Sequence, residues 1–138
     1  MSTRVVFFQV RDTQVKLLRL AEMAKFHFEK REPFLILVED DKALTFVDEL
    51  LWKLPEVSFL PHVATEVETT EWVAITKTKT NVNRAKAAFN LCSTPLLIEG
   101  PFRIVYDFED LTSLNKKNLS SLRFDAYKKA GFPIEARQ

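Results

Sequence analysis

Cys92, His27, His62 and the run Glu39-Asp40-Asp41 are the side chains of this 138-residue sequence that would matter first to an enzyme. Three adjacent carboxylates can hold Mg²⁺, or divide into an aspartyl nucleophile and an acid, which would make the chain a Mg-dependent hydrolase or phosphotransferase using Glu39, Asp40 and Asp41. No partner lysine, threonine or second acidic motif follows downstream, and acids at a helix start have the plainer role of stabilising its dipole. The histidines have no second ligand beside them: there is no two-His spacing and no CxxC pair, so no metal and no cofactor is expected. His27, between Phe26 and Phe28, reads as half-buried scaffold, and His62, after Phe59-Leu60-Pro61, as a hydrogen-bonded structural group. A single cysteine excludes an internal disulfide, and its setting between Leu91 and Ser93 suits a small core residue. Gly100 and Gly131 are the only glycines. The turn Arg11-Asp12-Thr13-Gln14 after the first strand therefore cannot let a backbone approach a pyrophosphate, and nucleotide binding is not expected. No catalytic constellation emerges, and the expectation is a protein that is not an enzyme.

Two other patterns point to binding. Trp52, Leu54, Pro55, Phe59, Leu60 and Pro61 gather large apolar groups beside breaks in secondary structure. Leu51 and Trp52 are neighbours on one helix, so if Leu51 faces the core, Trp52 lies at or near the surface, where it would anchor an interface. The alternative is that both rings of the cluster, Trp52 and Phe59, complete the core edge. Near the C-terminus, Lys117, Ser121, Phe124 and Lys128 recur at spacings of four, three and four, along one helix face. Two ammonium groups flanking an aromatic ring suit an acidic peptide with an apolar terminus, or simply a solvated face with one packed ring.

The elements that must position these groups are legible in the first sixty residues. Val5 to Val10 reads as a buried strand, with Asp12 or Thr13 as the cap of a helix that Pro33 stops. Phe34 to Val38 is an apolar block without alternation, typical of a strand covered on both faces. A helix follows with Ala43, Leu44, Val47, Leu50 and Leu51 toward the core, ending at Pro55, and Val57 to Leu60 reads as a third strand. This order predicts a single three-layered α/β domain over 1–138, with a mostly parallel sheet and helices on both faces. Beyond it, Thr65 to Thr70 reads as loop, Trp72 to Thr76 as strand and Lys77 to Lys86 as a mobile basic loop. Ala87 to Cys92 is helix or strand by pattern, and Phe102 to Phe108 is a strand. The last helix is capped within Asp110-Leu111-Thr112 and ends at Gly131.

A hydrophobic content of 46% excludes disorder, and the longest apolar run is far short of a membrane span. The net charge of +1 gives no reason to expect direct nucleic-acid binding. It is unevenly spread. Residues 39 to 71 set nine acids against Lys42 and Lys53, whereas residues 112 to 138 set Lys116, Lys117, Arg123, Lys128, Lys129 and Arg137 against Asp125 and Glu135. A basic C-terminal part suits an anionic partner. With no signal-peptide pattern, the cytoplasm is the expected compartment.

Leu35 to Asp41 (LILVEDD), Val47 to His62 (VDELLWKLPEVSFLPH) and Phe124 to Phe132 (FDAYKKAGF) together resemble the chi subunit of bacterial DNA polymerase III, a clamp-loader accessory protein. The resemblance runs in order along most of the chain and is loosest over 64 to 104. It implies a Rossmann-like domain that binds no nucleotide and catalyses nothing, and it makes Ala87 to Cys92 a strand. It also implies two partners: a psi-like clamp-loader subunit, and the acidic, Phe-ending tail of single-stranded DNA-binding protein. By the same resemblance the psi-facing surface is Trp52 and Phe59, with Leu60, Pro61 and His62 alongside. The tail site lies on the last helix and the strand before it, with Lys117, Ser121, Phe124 and Lys128 on the helix. Ser121 stands where the family has an arginine, Phe124 where it has a tyrosine, and Asp125 where it has a base. Arg123, Lys129 or the Lys77 to Lys86 loop would have to supply the missing charge. The expected reading is a replisome adaptor, a monomer alone or a heterodimer with its partner, and the alternative is an adaptor for a DNA-repair helicase through the same aromatic surface.

Overall fold

A computed structural model describes residues 3–54, 60–97 and 102–138. Residues Pro55 to Phe59, which include most of the expected third strand and the expected anchor Phe59, lie outside the described residues, as does Gly100.

The chain runs β1 (Arg4–Val10), α1 (Thr13–Glu29), β2 (Phe34–Leu37), α2 (Asp41–Lys53), β3 (Val63–Ala64), β4 (Val73–Thr76), β5 (Ala87–Asn90), β6 (Ile104–Asp110), α3 (Leu114–Lys129) and β7 (Ile134–Arg137). All seven strands form one parallel sheet in the order β3-β4-β2-β5-β6-β1-β7. The apolar block of β2 sits in the middle, with Phe34, Leu35 and Ile36 fully buried, because alternate side chains feed two separate cores. On one face Val6, Phe8, Phe34 and Ile36 meet Leu20, Ala21 and Ala24 of α1 and Val47 and Leu51 of α2. On the other, Val5, Phe7, Leu35 and Leu37 meet Tyr127 of α3 together with Val82, Ala85 and Phe102 from loops. The expected three layers are therefore present, with two helices on one face and one on the other.

Short polar side chains start each helix. Asp12 Oδ1 accepts from the backbone N–H of Gln14 and Val15, and Asp40 Oδ1 from that of Ala43. The third cap differs from expectation: Ser113 Oγ accepts from the Lys116 N–H, while Asp110 ends β6 with its carboxylate held by Lys16 Nζ at 2.6 Å and by Thr112.

Four further features depart from the sequence reading or add to it. Strands β1 and β2 are not neighbours, since β5 and β6 lie between them. Leu60 belongs to no strand, and among the described residues the third strand is the two-residue Val63–Ala64. The Lys77 to Lys86 segment is pinned rather than free: Val82 and Ala85 are buried, and Asn83 Nδ2 donates to the carbonyls of Phe34 and Glu71. Finally, β7 adds an edge strand beside β1. The strand expected at Ala87 to Cys92 is present as β5, and β6 begins at Ile104.

Helix α3 closes on Gly131, whose φ is +86°, with Gly131 N donating to Lys128 O and Phe132 N to Tyr127 O. Helix α1 ends in the same two-bond pattern, Arg31 N to Phe28 O and Glu32 N to His27 O, but a residue with a Cβ holds the left-handed position, at φ +55°. Arg31→Gly is therefore expected to stabilise the fold by about 1 kcal/mol and Gly131→Ala to destabilise it by a similar amount. Chemical denaturation of the two variants checks the opposite signs.

Candidate functional site

The aromatic cluster is built from the C-terminal half of α2 and the segment before β3. Leu51 is fully buried, which turns Trp52 outward, where it is 44% exposed. Its ring lies on the His62 imidazole at 4.3 Å between centroids. The His62 side chain is fully buried, with Nδ1 2.7 Å from Leu60 O and Nε2 2.9 Å from Asp48 Oδ1. The structural role expected of His62 is thus the one found. Trp52 and Pro61 are exposed, whereas Leu60 and His62 lie beneath them as support.

On α3, Ser120, Arg123 and Tyr127 face the sheet. One residue further round, Lys117, Ser121 and Phe124 line a groove of about 240 Å³ together with Phe7 of β1, Glu109 of β6 and Ala136 of β7. Phe124 packs its ring on Phe7 at 5.5 Å and keeps 37% of its surface open. Lys128 is exposed one turn beyond, on the same helix face but outside the groove lining. Three of the four expected residues therefore converge. The groove is not uniformly basic, because Glu109, which accepts from Gln9 Nε2, sits in its wall opposite the helix.

Of the expected substitutes, Arg123, Lys77 and Arg84 are paired elsewhere. Arg123 is buried. Its Nε lies 3.1 Å from Asp107 Oδ1, and its Nη2 donates to Phe108 O and Ser120 Oγ. In the basic loop Lys77 pairs with Asp41 and Glu66, and Arg84 with Glu68. Asp107 is the centre of a network that the sequence reading missed. Its carboxylate accepts from Arg123, from Tyr127 Oη at 2.8 Å and from Asn90 Nδ2 at 3.1 Å, and its Oδ1 accepts from the Phe108 N–H. Burial pushes the Asp107 carboxyl up, against the downward pull of Arg123, Tyr127 and Asn90.

Among the residues with catalytic chemistry, Glu39 and Cys92 meet at one crevice, whose lining includes neither histidine. Asp40 caps α2, Asp41 faces Lys77 at 3.0 Å, and Glu39 accepts from Ser93 Oγ at 2.5 Å. The Ser93 hydroxyl holds the Glu39 carboxyl below its ordinary value, against the opposing effect of burial. Among the described residues no group of three His, Cys, Asp or Glu side chains is placed to hold a metal ion. Burial pushes the Cys92 thiol up to about 11, which leaves it protonated and a poor nucleophile. Two crevices, also unforeseen, open at the carboxyl ends of the strands. One, of about 210 Å³, is polar and lies between Lys16, Glu39, Ser93 and Lys116. The other, of about 380 Å³, is apolar and runs between Leu17 and Leu20 of α1 and Phe46 and Val47 of α2. The signal for both is the general rule that open parallel sheets leave a crevice at that edge.

The family model for "DNA polymerase III chi subunit, HolC" matches residues 1–135 of the chain. No curated protein matches it significantly. No helix among the described residues is long and apolar enough to cross a membrane.

Arg123→Ala leaves the Asp107 carboxylate buried without its counter-ion, and is expected to cost about 3–5 kcal/mol of stability. The double variant Asp107→Ala/Arg123→Ala is expected to cost less than the sum of the two single changes. Denaturant titration of the three variants measures both, and a loss below about 1 kcal/mol for Arg123→Ala would contradict the pairing.

Proposed function

The chain belongs to the DNA polymerase III chi subunit family, and from that premise we propose that it is a non-catalytic adaptor of the replisome, working in the cytoplasm, which holds two protein partners at once. One observation carries the reading. Of the four exposed aromatic side chains among the described residues, Phe26, Phe46, Trp52 and Phe124, the two expected anchors lie on opposite sides of the sheet, Trp52 on α2 over one core and Phe124 on α3 over the other.

The Trp52 surface takes a psi-like clamp-loader subunit. A large ring, half open and backed by the fixed His62–Leu60–Asp48 contacts, enters a partner's pocket with little rotamer freedom to lose, which is the usual character of an interface hot spot. The α3 groove takes the acidic C-terminal tail of single-stranded DNA-binding protein. An apolar terminal side chain fills the space between Phe7, Phe124 and Ala136, and Lys117 draws in its carboxylate. Lys128 meets the acidic residues before it. Joining the two partners raises the clamp loader's local concentration at coated single-stranded DNA without a DNA-binding surface on this protein. Ser121 offers no guanidinium fork and Glu109 repels anions, so the tail is held more weakly than an arginine at 121 would hold it.

Two measurements test this. Fluorescence anisotropy with a labelled acidic tail peptide is expected to show binding in low salt below about 100 μM. Lys117→Glu should weaken it about tenfold, and Ser121→Arg should tighten it about tenfold, the equivalent of roughly 1.4 kcal/mol each. No detectable binding, or none of this charge dependence, contradicts the tail assignment. Trp52→Ala is expected to weaken capture of a psi-like subunit by about 2 kcal/mol in calorimetry while the tail affinity stays unchanged.

A further inference from the structure

Strand β7 ends the sheet: it pairs with β1 on one side, and among the described residues no strand lies on its other side. Val5 N donates to Pro133 O, which directs the odd-numbered residues of β7 toward β1. The backbone groups of Ile134 and Ala136 consequently face outward, unpaired by the sheet. An open row of this kind is a template for another strand unless charge or shape opposes it.

The charge on this row does not oppose a second copy. Glu135 and Arg137 project from the same face, the one opposite Ile134, and both are a little over two-fifths exposed. Within one molecule Glu135 is bracketed by Arg137 and, at 3.2 Å, by Arg4. If two β7 strands are laid antiparallel about a two-fold axis through Ala136, Ala136 faces Ala136 as the hydrogen-bonded pair. Glu135 of each copy then faces Arg137 of the other. Those positions fall at the non-hydrogen-bonded site, where the side chains stand closest and opposite charges attract. One residue of slip in either direction loses this match. The small side chain of Ala136 leaves the other side of the seam clear.

We propose that β7 is a self-complementary edge through which two copies of this chain pair antiparallel, extending one continuous sheet across both molecules. The seam is short and lies well below the roughly 1,200 Å² of a standard stable interface, so the dimer is weak and concentration-dependent. It does not depend on the partner assignments above.

Sedimentation velocity of the whole protein over a concentration series reads it directly. The wild type is expected to shift from monomer toward dimer at about 100 μM and above, the range of a contact of this size. Glu135→Arg alone, and Arg137→Glu alone, should each weaken the association at least tenfold. An equimolar mixture of the two variants, and the double exchange Glu135→Arg/Arg137→Glu, should both restore it. Ala136→Pro removes an outward N–H that β1 does not use, and should abolish dimer while circular dichroism shows the fold retained. A protein that stays monomeric throughout, a dimer indifferent to the charge reversals, or an edge protected from hydrogen exchange only by some other extended peptide would each overturn the proposal.

Discussion

A parallel sheet buried on both faces is the constraint from which the rest of the molecule follows. Strand β2 presents no polar side chain in either direction, so both faces of the sheet centre need a cover, and three helices cannot cover both equally. α1 and α2 take one face; α3 and loop residues, Val82, Ala85, Cys92, Leu96 and Phe102, take the other. That division sends the outward face of α2, with Trp52, and the outward face of α3, with Phe124, to opposite sides of the molecule. An adaptor needs such separation if its partners are not to compete for the same space.

The face with only one helix carries the larger polar demand. Asp107 sits fully buried on β6, and its lone pairs are taken by groups from β5, β6 and α3. Tyr127 Oη also accepts from the Leu96 N–H, so the network ties α3 both to the sheet and to the loop after β5. A buried ion pair is a poor source of net stability, but once present it fixes geometry, because sliding α3 would strand a charge in the core. The rotation of α3 that faces Arg123 and Tyr127 inward is the one that turns Lys117, Ser121 and Phe124 toward Phe7. The groove is thus positioned by residues that take no part in it.

Much of this was legible because it is local. The apolar block Phe34 to Val38 could only be a doubly covered strand, Asp12 and Asp40 stood where helix starts need an acceptor, and Gly131 stood where α3 needed a left-handed residue. What escaped depends on distant partners. Ile134–Arg137 has four residues and no apolar run, and is a strand only because β1 lies beside it. Val63–Ala64 is shorter still. Arg123 sits in a basic stretch and reads as one more surface charge, since nothing nearby in sequence announces Asp107, sixteen positions earlier. The Lys77 to Lys86 segment looked free by composition, although Asn83 reaches back to the carbonyl of Phe34. The site residues followed the same division. Leu51 made an outward Trp52 one of two open readings, whereas the acid in the wall of the α3 groove, Glu109, lies on a face of the preceding strand that could not be assigned in advance.

The most direct test of the account is whether both surfaces are occupied together. A psi-like subunit is immobilised, saturated with this protein, and then titrated with labelled acidic tail peptide, alongside the same titration of the free protein. Independent faces predict a ternary complex with tail affinity within about twofold of the free value, a coupling of roughly 0.4 kcal/mol or less. Mutual exclusion, with the peptide displacing the protein from the immobilised subunit, would contradict it.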